Sequence, residues 1–435
     1  MGGTDVPQQT PPAEGRGQRL RGAVKRTFGS LDTRNYRLYF TGDLISHVGG
    51  WMQAMAEAWL AFKLTGSGAA VGATFAFRFG PVLFFGLWGG VIADHFDRRR
   101  VMFVTQSLAA LLAAVLWVVV FTGVVQVWML FGIAFLLGLV TVVDEPARQA
   151  FVEEMVGREK LPNAVALNSA VLNSARITGP ALGGILIKYV GVEWVFFGNA
   201  VSFLAVVIAL ALMRKDELYR FHRPTARVRV REGLAYAWSL VQIRSTIVLV
   251  AVVGTLVYNF PTFLTLTARL TFGGGAGLAG VLMAILGVGT VIGALSAALR
   301  ARPNARTVTA TAVLLGIALL VAAATLPSEL WFGVALVPVG ALAVFFGSTA
   351  NGHMQMSSLP HMRGRVMAIY SLLTLGSTVV GGPFVGWVCQ TWTPRAGLAL
   401  AGSATLTAAV CVQLWRLRPK KSQISFQPSL AASTR

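Results

Sequence analysis

Five residues in the first long apolar stretch of the chain, Asp43, Ser46, His47, Gln53 and Glu57, are of types that move protons or bind polar solutes. At 100° per residue they fall with Gly50 and Ala54 in one arc of about 120°. Leu44, Ile45, Val48, Met52, Met55, Ala56 and Trp59 cover the rest of the helix. A polar stripe on an apolar helix must face protein or water. Carboxylates inside a membrane are costly, generally face the bundle interior or an aqueous cavity, and mark substrate or proton routes. The alternative role for Asp43 and Glu57 is plain ion pairing with neighbouring helices. After Glu232 the only acidic residue is Glu329, so carboxylate chemistry is confined to the first half. Asp144 can pair with Arg148 one turn on. That leaves Asp43 and Glu57 as the foremost proton-coupling candidates, with Arg78 and Arg176 as the two bases placed within the membrane. Glu57 and Arg78 lie within about a turn of the same depth, which permits an ion pair.

The elements that hold these residues follow from composition. Of 435 residues, 55% are hydrophobic and 12% charged, against about 25% charged in a soluble protein. The chain reads as a polytopic membrane protein. Apolar stretches of roughly 20 residues predict twelve spans near 36–62, 69–94, 101–123, 127–148, 163–188, 192–213, 241–267, 275–300, 306–326, 329–350, 363–389 and 394–416. The net charge of +20 is spread over short loops, which argues against a nucleic-acid partner. Of 37 Lys and Arg residues, 31 fall on the side holding the termini, and Lys63, Lys188, Arg269 and Arg395 fall opposite. The positive-inside rule then puts both termini in the cytoplasm. Trp128, Trp194, Trp331 and Trp392 fall at outer helix starts, as an interfacial belt requires.

The expected organisation is a disordered tail over 1–34, a six-helix bundle over 35–213, a basic linker over 214–240, a second bundle over 241–416 and a tail over 417–435. Gly179-Pro180 and Gly382-Pro383 are 203 residues apart, as are Gly90 and Gly293, and Arg99 and Arg302. The shared offset argues for a duplicated unit, with Ala297 standing opposite Asp94 in the second copy. Cys389 and Cys411 are expected at opposite ends of their helices, too far apart to bridge. No spacing suggests a metal site, a phosphate loop or a nucleophile, so neither a cofactor nor an enzymatic activity is expected.

Three motifs then narrow the reading. The hairpin Gly90-Val-Ile-Ala-Asp94-His-Phe-Asp97-Arg98-Arg99-Arg100 resembles the signature loop of the major facilitator superfamily. It matches at Gly90, Asp94, Arg99 and Arg100 and departs at His95 and Asp97. A glycine four residues before the acid is expected to let two helices approach closely. Gly179-Pro180-Ala-Leu-Gly183-Gly184 resembles the motif of facilitator antiporters, although close helix packing alone also accounts for small residues at this spacing. Leu64-Thr-Gly-Ser67, Pro146-Ala-Arg-Gln-Ala150, Leu161-Pro-Asn-Ala-Val-Ala-Leu-Asn168 and Arg363-Gly-Arg-Val-Met367 look like the branch of the enterobactin exporter and macrolide efflux pumps, the transmembrane secretion effectors. The resemblance implies an all-α facilitator fold that exports an amphipathic small molecule by proton antiport, as a monomer in the cell membrane. It also implies that the Gly90–Arg100 loop acts as a conformational switch. An importer of the same fold and a non-transporting sensor or assembly protein are the alternatives. Ser46, Gln53, Tyr258 and Asn259 are the expected cavity residues, with Thr255, Thr262, Thr265 and a methionine group, Met354, Met356 and Met362, nearby.

Overall fold

A computed structural model describes residues 29–219, 230–299, 304–326, 328–359 and 362–417. The expected tails before Gly29 and after Leu417, and the middle of the basic linker at 220–229, lie outside the described residues. Residues 29–34 differ from a tail. Gly29–Asp32 forms a 3-10 turn, anchored where the Ser30 N–H and hydroxyl donate to Asn163 Oδ1 at 2.9 and 2.7 Å.

Among the described residues the fold is helical, and ten helices are long and apolar enough to cross a membrane. In an apolar surround a helix satisfies every backbone group within its own segment. Two features separate ten from twelve. Val127–Tyr189 is one continuous run bent at Gly157, whose φ of 73° favours glycine; its two limbs occupy the fourth and fifth positions in the bundle. Arg34–Thr65, 32 residues or about 48 Å long, carries the polar stripe and is the least apolar of the set. Counting these, spans 1 to 3 are Arg34–Thr65, Gly68–His95 and Arg98–Phe121. Spans 4 and 5 are the two limbs, and span 6 is Val192–Leu212. Spans 7 to 12 are Val241–Thr271, Ala276–Ala298, Ala305–Thr325, Glu329–Met356, Arg363–Thr391 and Pro394–Leu417.

Spans 7 and 11 are interrupted where the sequence predicts continuous helices. Span 7 breaks between Leu256 and Phe260, where Pro261 cannot donate a backbone hydrogen bond. Span 11 widens into a π turn over Leu372–Gly376. Short polar residues start several helices: Ser67 Oγ accepts from the Ala70 N–H, Asp97 Oδ1 from Arg100 and Asn304 Oδ1 from Thr307. Asp97, a departure from the loop motif, is thus the cap of span 3. The four belt tryptophans are all exposed.

Glycines decide how closely the helices meet. A Cβ on Gly179 or Gly183 would run into Val48, Trp51 and Met52 of span 1, and one on Gly184 into Ala276 and Gly280 of span 8. In the second half, a Cβ on Gly381 would strike Thr255 of span 7, and one on Gly382 or Gly386 the backbone of Gly72 or Gly68 in span 2. Span 5 is therefore wedged between spans 1 and 8, and span 11 between spans 7 and 2. Both wedges join the halves at the end away from the arginine-rich loops. Gln390 seals that end, accepting from the Gly68 N–H at 2.5 Å and donating to Gly66 O at 2.8 Å.

The signature hairpin needs one correction. Nothing lies within 4 Å of a Cβ built on Gly90, whereas one on Gly89 would collide with the Val142 backbone of span 4. The close approach belongs to Gly89, because it is that face of span 2 which meets span 4. The Asp94 side chain lies outside the described residues. Arg99 donates to Leu210 O through Nε and Nη2 at 2.9 and 2.5 Å, tying the loop to span 6. Arg100 is exposed.

Candidate functional site

A cavity of about 990 Å³ lies between the halves. Its first-half wall carries the ionisable groups His47, Arg78, Asp144, Glu145, Arg148 and Arg176. Its second-half wall is neutral, with Tyr258, Asn259, Thr262, Thr290 and Tyr370 among aliphatic side chains. The lining reaches Arg148 and Gly352 toward the arginine-rich end. The glycine wedges close the other end.

Three layers of charge stand along span 1. The layer at the arginine-rich end is built on Arg148. Its Nη1 contacts Asp43 Oδ1, and its Nε and Nη2 donate to Asp144 Oδ2 at 3.2 and 2.8 Å. Asp144 Oδ1 also accepts from Thr105 Oγ1 at 2.6 Å and Gln106 Nε2 at 2.9 Å. His47 Nδ1 lies 2.9 Å from Asp43 O and 3.4 Å from Asp43 Oδ1. All three charged groups are buried. One guanidinium facing two carboxylates leaves a negative charge unbalanced unless His47 or an acid takes a proton. Asp43 Oδ2 has no hydrogen-bond partner.

About 21 Å further along span 1, Glu57 is buried and accepts from Arg78 Nη1 at 3.2 and 3.0 Å on its two oxygens and from Gln53 Nε2 at 2.6 Å. Gln53 Oε1 accepts from Asn199 Nδ2 at 2.5 Å. The structure therefore brings Glu57 and Arg78 together, as their depths suggest. Between these layers, Arg176 of span 5 stacks over the Trp51 ring, 5.4 Å from its centroid.

Several expected positions move. Arg148, counted from the sequence among the loop bases, is a base buried within the bundle, because span 4 continues well past the predicted end at 148 before it bends at Gly157. The i,i+4 spacing from Asp144 signals that pair; no sequence signal gives the contact with Asp43, 105 residues away. Gln53 does not line the cavity: its carbonyl and amide are taken up by Asn199 and Glu57. Ser46, Tyr258, Asn259 and Thr262 do line it. Thr255 turns back to Ala251 O, and Thr265 is buried away from the cavity. The methionine group is also absent from the lining. Met354 packs with Ile243 and Val366 and Met356 is exposed, so Met283 is the methionine of the wall. Cys389 and Cys411 are free.

Residues 25–432 match the transmembrane secretion effector family. The chain belongs to that family. It is similar to the staphyloferrin A transporter of Staphylococcus aureus, 23% identical over 265 residues that cover 60% of the chain. That match takes in 66% of the relative, just under two thirds of its length. Similarity to the multidrug efflux pump Tap of Mycobacterium tuberculosis extends over 88% of the chain and 93% of the pump at 28% identity. In fold the secretion effector resembles the nucleoside transporter NupG, with a TM-score of 0.71 at 11% identity over 88% of this chain and all of that one. A bacterial homologue of the lysosomal transporter Spinster, solved inward-facing and unoccupied, gives a TM-score of 0.67 at 13% identity, covering 88% and 94% of the two chains. The facilitator fold and transporter class expected from the motifs thus hold for this chain.

Proposed function

We propose that this transporter exports an amphipathic small molecule across the cytoplasmic membrane in exchange for protons, with both termini cytoplasmic. The observation that carries the reading is the pairing of buried carboxylates with arginines at two depths of one helix, Asp43 and Asp144 on Arg148, and Glu57 on Arg78. Burial favours the neutral acid and the arginine favours the carboxylate, so protonation follows whether each pair is made. A helix movement that separates a pair would let its acid take up a proton from one side, and re-forming the pair would release that proton to the other. A cavity of about 990 Å³, charged on one wall and neutral on the other, suits an amphipathic cargo. Export is favoured by the efflux pump Tap among the relatives and by the antiporter-like glycines of span 5. The basic residues at one end orient it: the cavity reaches toward that end, which is cytoplasmic by the positive-inside rule.

In this reading one chain suffices, because the cavity is lined within a single bundle pair. The Gly90–Arg100 loop acts at the cytoplasmic rim as the switch between access states. Everted membrane vesicles energised with a pH gradient provide the test. 2-Naphthoate should accumulate in them and the gradient should partly collapse on its addition. Naphthoate accumulation in intact cells instead, or accumulation with no proton movement, would overturn export or antiport respectively.

A further inference from the structure

We propose that Arg176 anchors an oxyanion of the cargo, and that the cargo class is an amphipathic acid: a carboxylate or comparable anionic group on a flat apolar body. The inference deepens the export reading and rests on its cavity being the binding place. It starts from an inequality among the three arginines of the cavity wall. Arg78 has Glu57 and Arg148 has Asp43 and Asp144 within ion-pair distance. No carboxylate among the described residues approaches Arg176 in that way, and the second-half wall of the same cavity is uncharged. The two acids of the central sequence whose side chains lie outside the described residues, Asp94 and Glu232, belong to the arginine-rich end of their helices. Arg176 stands about 28 Å along span 5 from Gly157.

A guanidinium in the middle of a membrane protein is costly unless a counter-charge or water meets it. Arg176 is exposed to the cavity, so a cargo that displaces water from it must supply the counter-charge. The contact Arg176 makes here is with the Trp51 ring. Among the described residues no hydrogen bond to a protein acceptor takes up the Arg176 N–H donors, and the residue lines the cavity. Those donors form a planar fork that matches a carboxylate or phosphate in bidentate fashion, which a lysine would not reproduce. The adjacent wall suits the rest of such a molecule. Phe75, Phe79 and Phe260 supply flat apolar surface, and the Thr262 hydroxyl lines the cavity without a hydrogen-bond partner. Glu145 lines the same cavity as an acid, but on span 4 it sits about 18 Å from the Gly157 bend, nearer the arginine-rich end by roughly 10 Å of helix rise. The field therefore has a direction, positive deep in the cavity and negative at its mouth. An anionic head would enter past Glu145 and seat on Arg176.

The full-length protein in nanodiscs, titrated calorimetrically with 2-naphthoate, its neutral analogue 2-naphthamide and the cation 2-naphthylmethylammonium, tests this. Wild type should bind naphthoate about tenfold or more tightly than the amide, the scale of a charge-assisted pair, and the cation most weakly. Arg176→Gln should abolish the preference, and Arg176→Lys should keep part of it. A preference unchanged in Arg176→Gln would overturn the proposal. So would a wild type that favours the amide or the cation, or that binds no naphthoate up to its solubility limit. The wild-type ranking needs no variant, so a misfolded Arg176→Gln does not spare the proposal. Charge preference with no proton-coupled flux in proteoliposomes would sink antiport and leave the anion site standing.

Discussion

The two halves pack by the same device and carry different chemistry. In each, a glycine-rich helix, span 5 or span 11, is wedged between a neighbour of its own half and one of the other. Yet the first half holds its buried arginines on carboxylates, and the second holds Arg416 on neutral oxygens. Arg416 donates to Ser245 Oγ at 3.1 and 2.5 Å, to Thr309 Oγ1 at 2.9 Å and to Ala305 O at 2.8 Å. Arg244 beside it stacks on Trp415 at 4.0 Å. The buried histidine of that half, His353, faces the Thr246 hydroxyl at 3.1 Å. A hydroxyl or carbonyl can anchor an arginine but, unlike a carboxylate, cannot exchange a proton near neutral pH. Among the described residues the two halves share the glycine contacts that close helix packing needs, and the pairing of buried carboxylates with arginines is found in the first.

The comparison breaks most sharply at the arginines. Arg148→Leu leaves two buried acids without a cation and should destabilise the protein by about 3–5 kcal/mol. Arg416→Leu removes only bonds to neutral groups and should cost about 1–3 kcal/mol. Denaturation of both variants in the same detergent decides this; equal losses would mean that the halves do not differ in kind. Next in size is coupling. Glu57→Gln should still bind cargo and exchange it downhill, but lose accumulation against a gradient. Asp43→Asn is expected to follow it in lesser degree, whereas His353→Gln should accumulate normally. Normal proton-driven accumulation in both acid variants would remove span 1 as the carrier.

Smaller effects concern packing and switching. The double variant Gly179→Leu, Gly183→Leu forces side chains into span 1, an overpacking worth about 1–3 kcal/mol per site, and should give leak or slow exchange. Gly382→Leu should do the same through span 2, and full activity in either would deny that wedge a role. The smallest expected changes lie at the hairpin. Asp94→Asn should slow transport with little loss of equilibrium binding. Gly90→Ala, where a Cβ meets nothing, should be close to silent, while Gly89→Ala should impair insertion or activity; the reverse order would restore Gly90 as the contact glycine.

Much of this was legible in the sequence, because a membrane makes patterning explicit. Apolar length sets the helices, the positions of lysine and arginine set the expected orientation, and the polar arc of span 1 marks a face that cannot meet lipid. The 203-residue offset exposes the repeat, and the depths of Glu57 and Arg78 suffice to suggest their pair. What the sequence left open depends on contacts between distant segments. Whether Gly89 or Gly90 meets span 4 turns on helix rotation, which is set by packing and not by local composition. Gln53 looks like a cavity residue on a helical wheel until Asn199 takes its carbonyl. Arg148 reads as a loop base until span 4 runs on to Gly157 and brings it against Asp43. The solitude of Arg176 is likewise invisible in one dimension, since only the tertiary structure decides which charges find partners and which one is left facing the cavity.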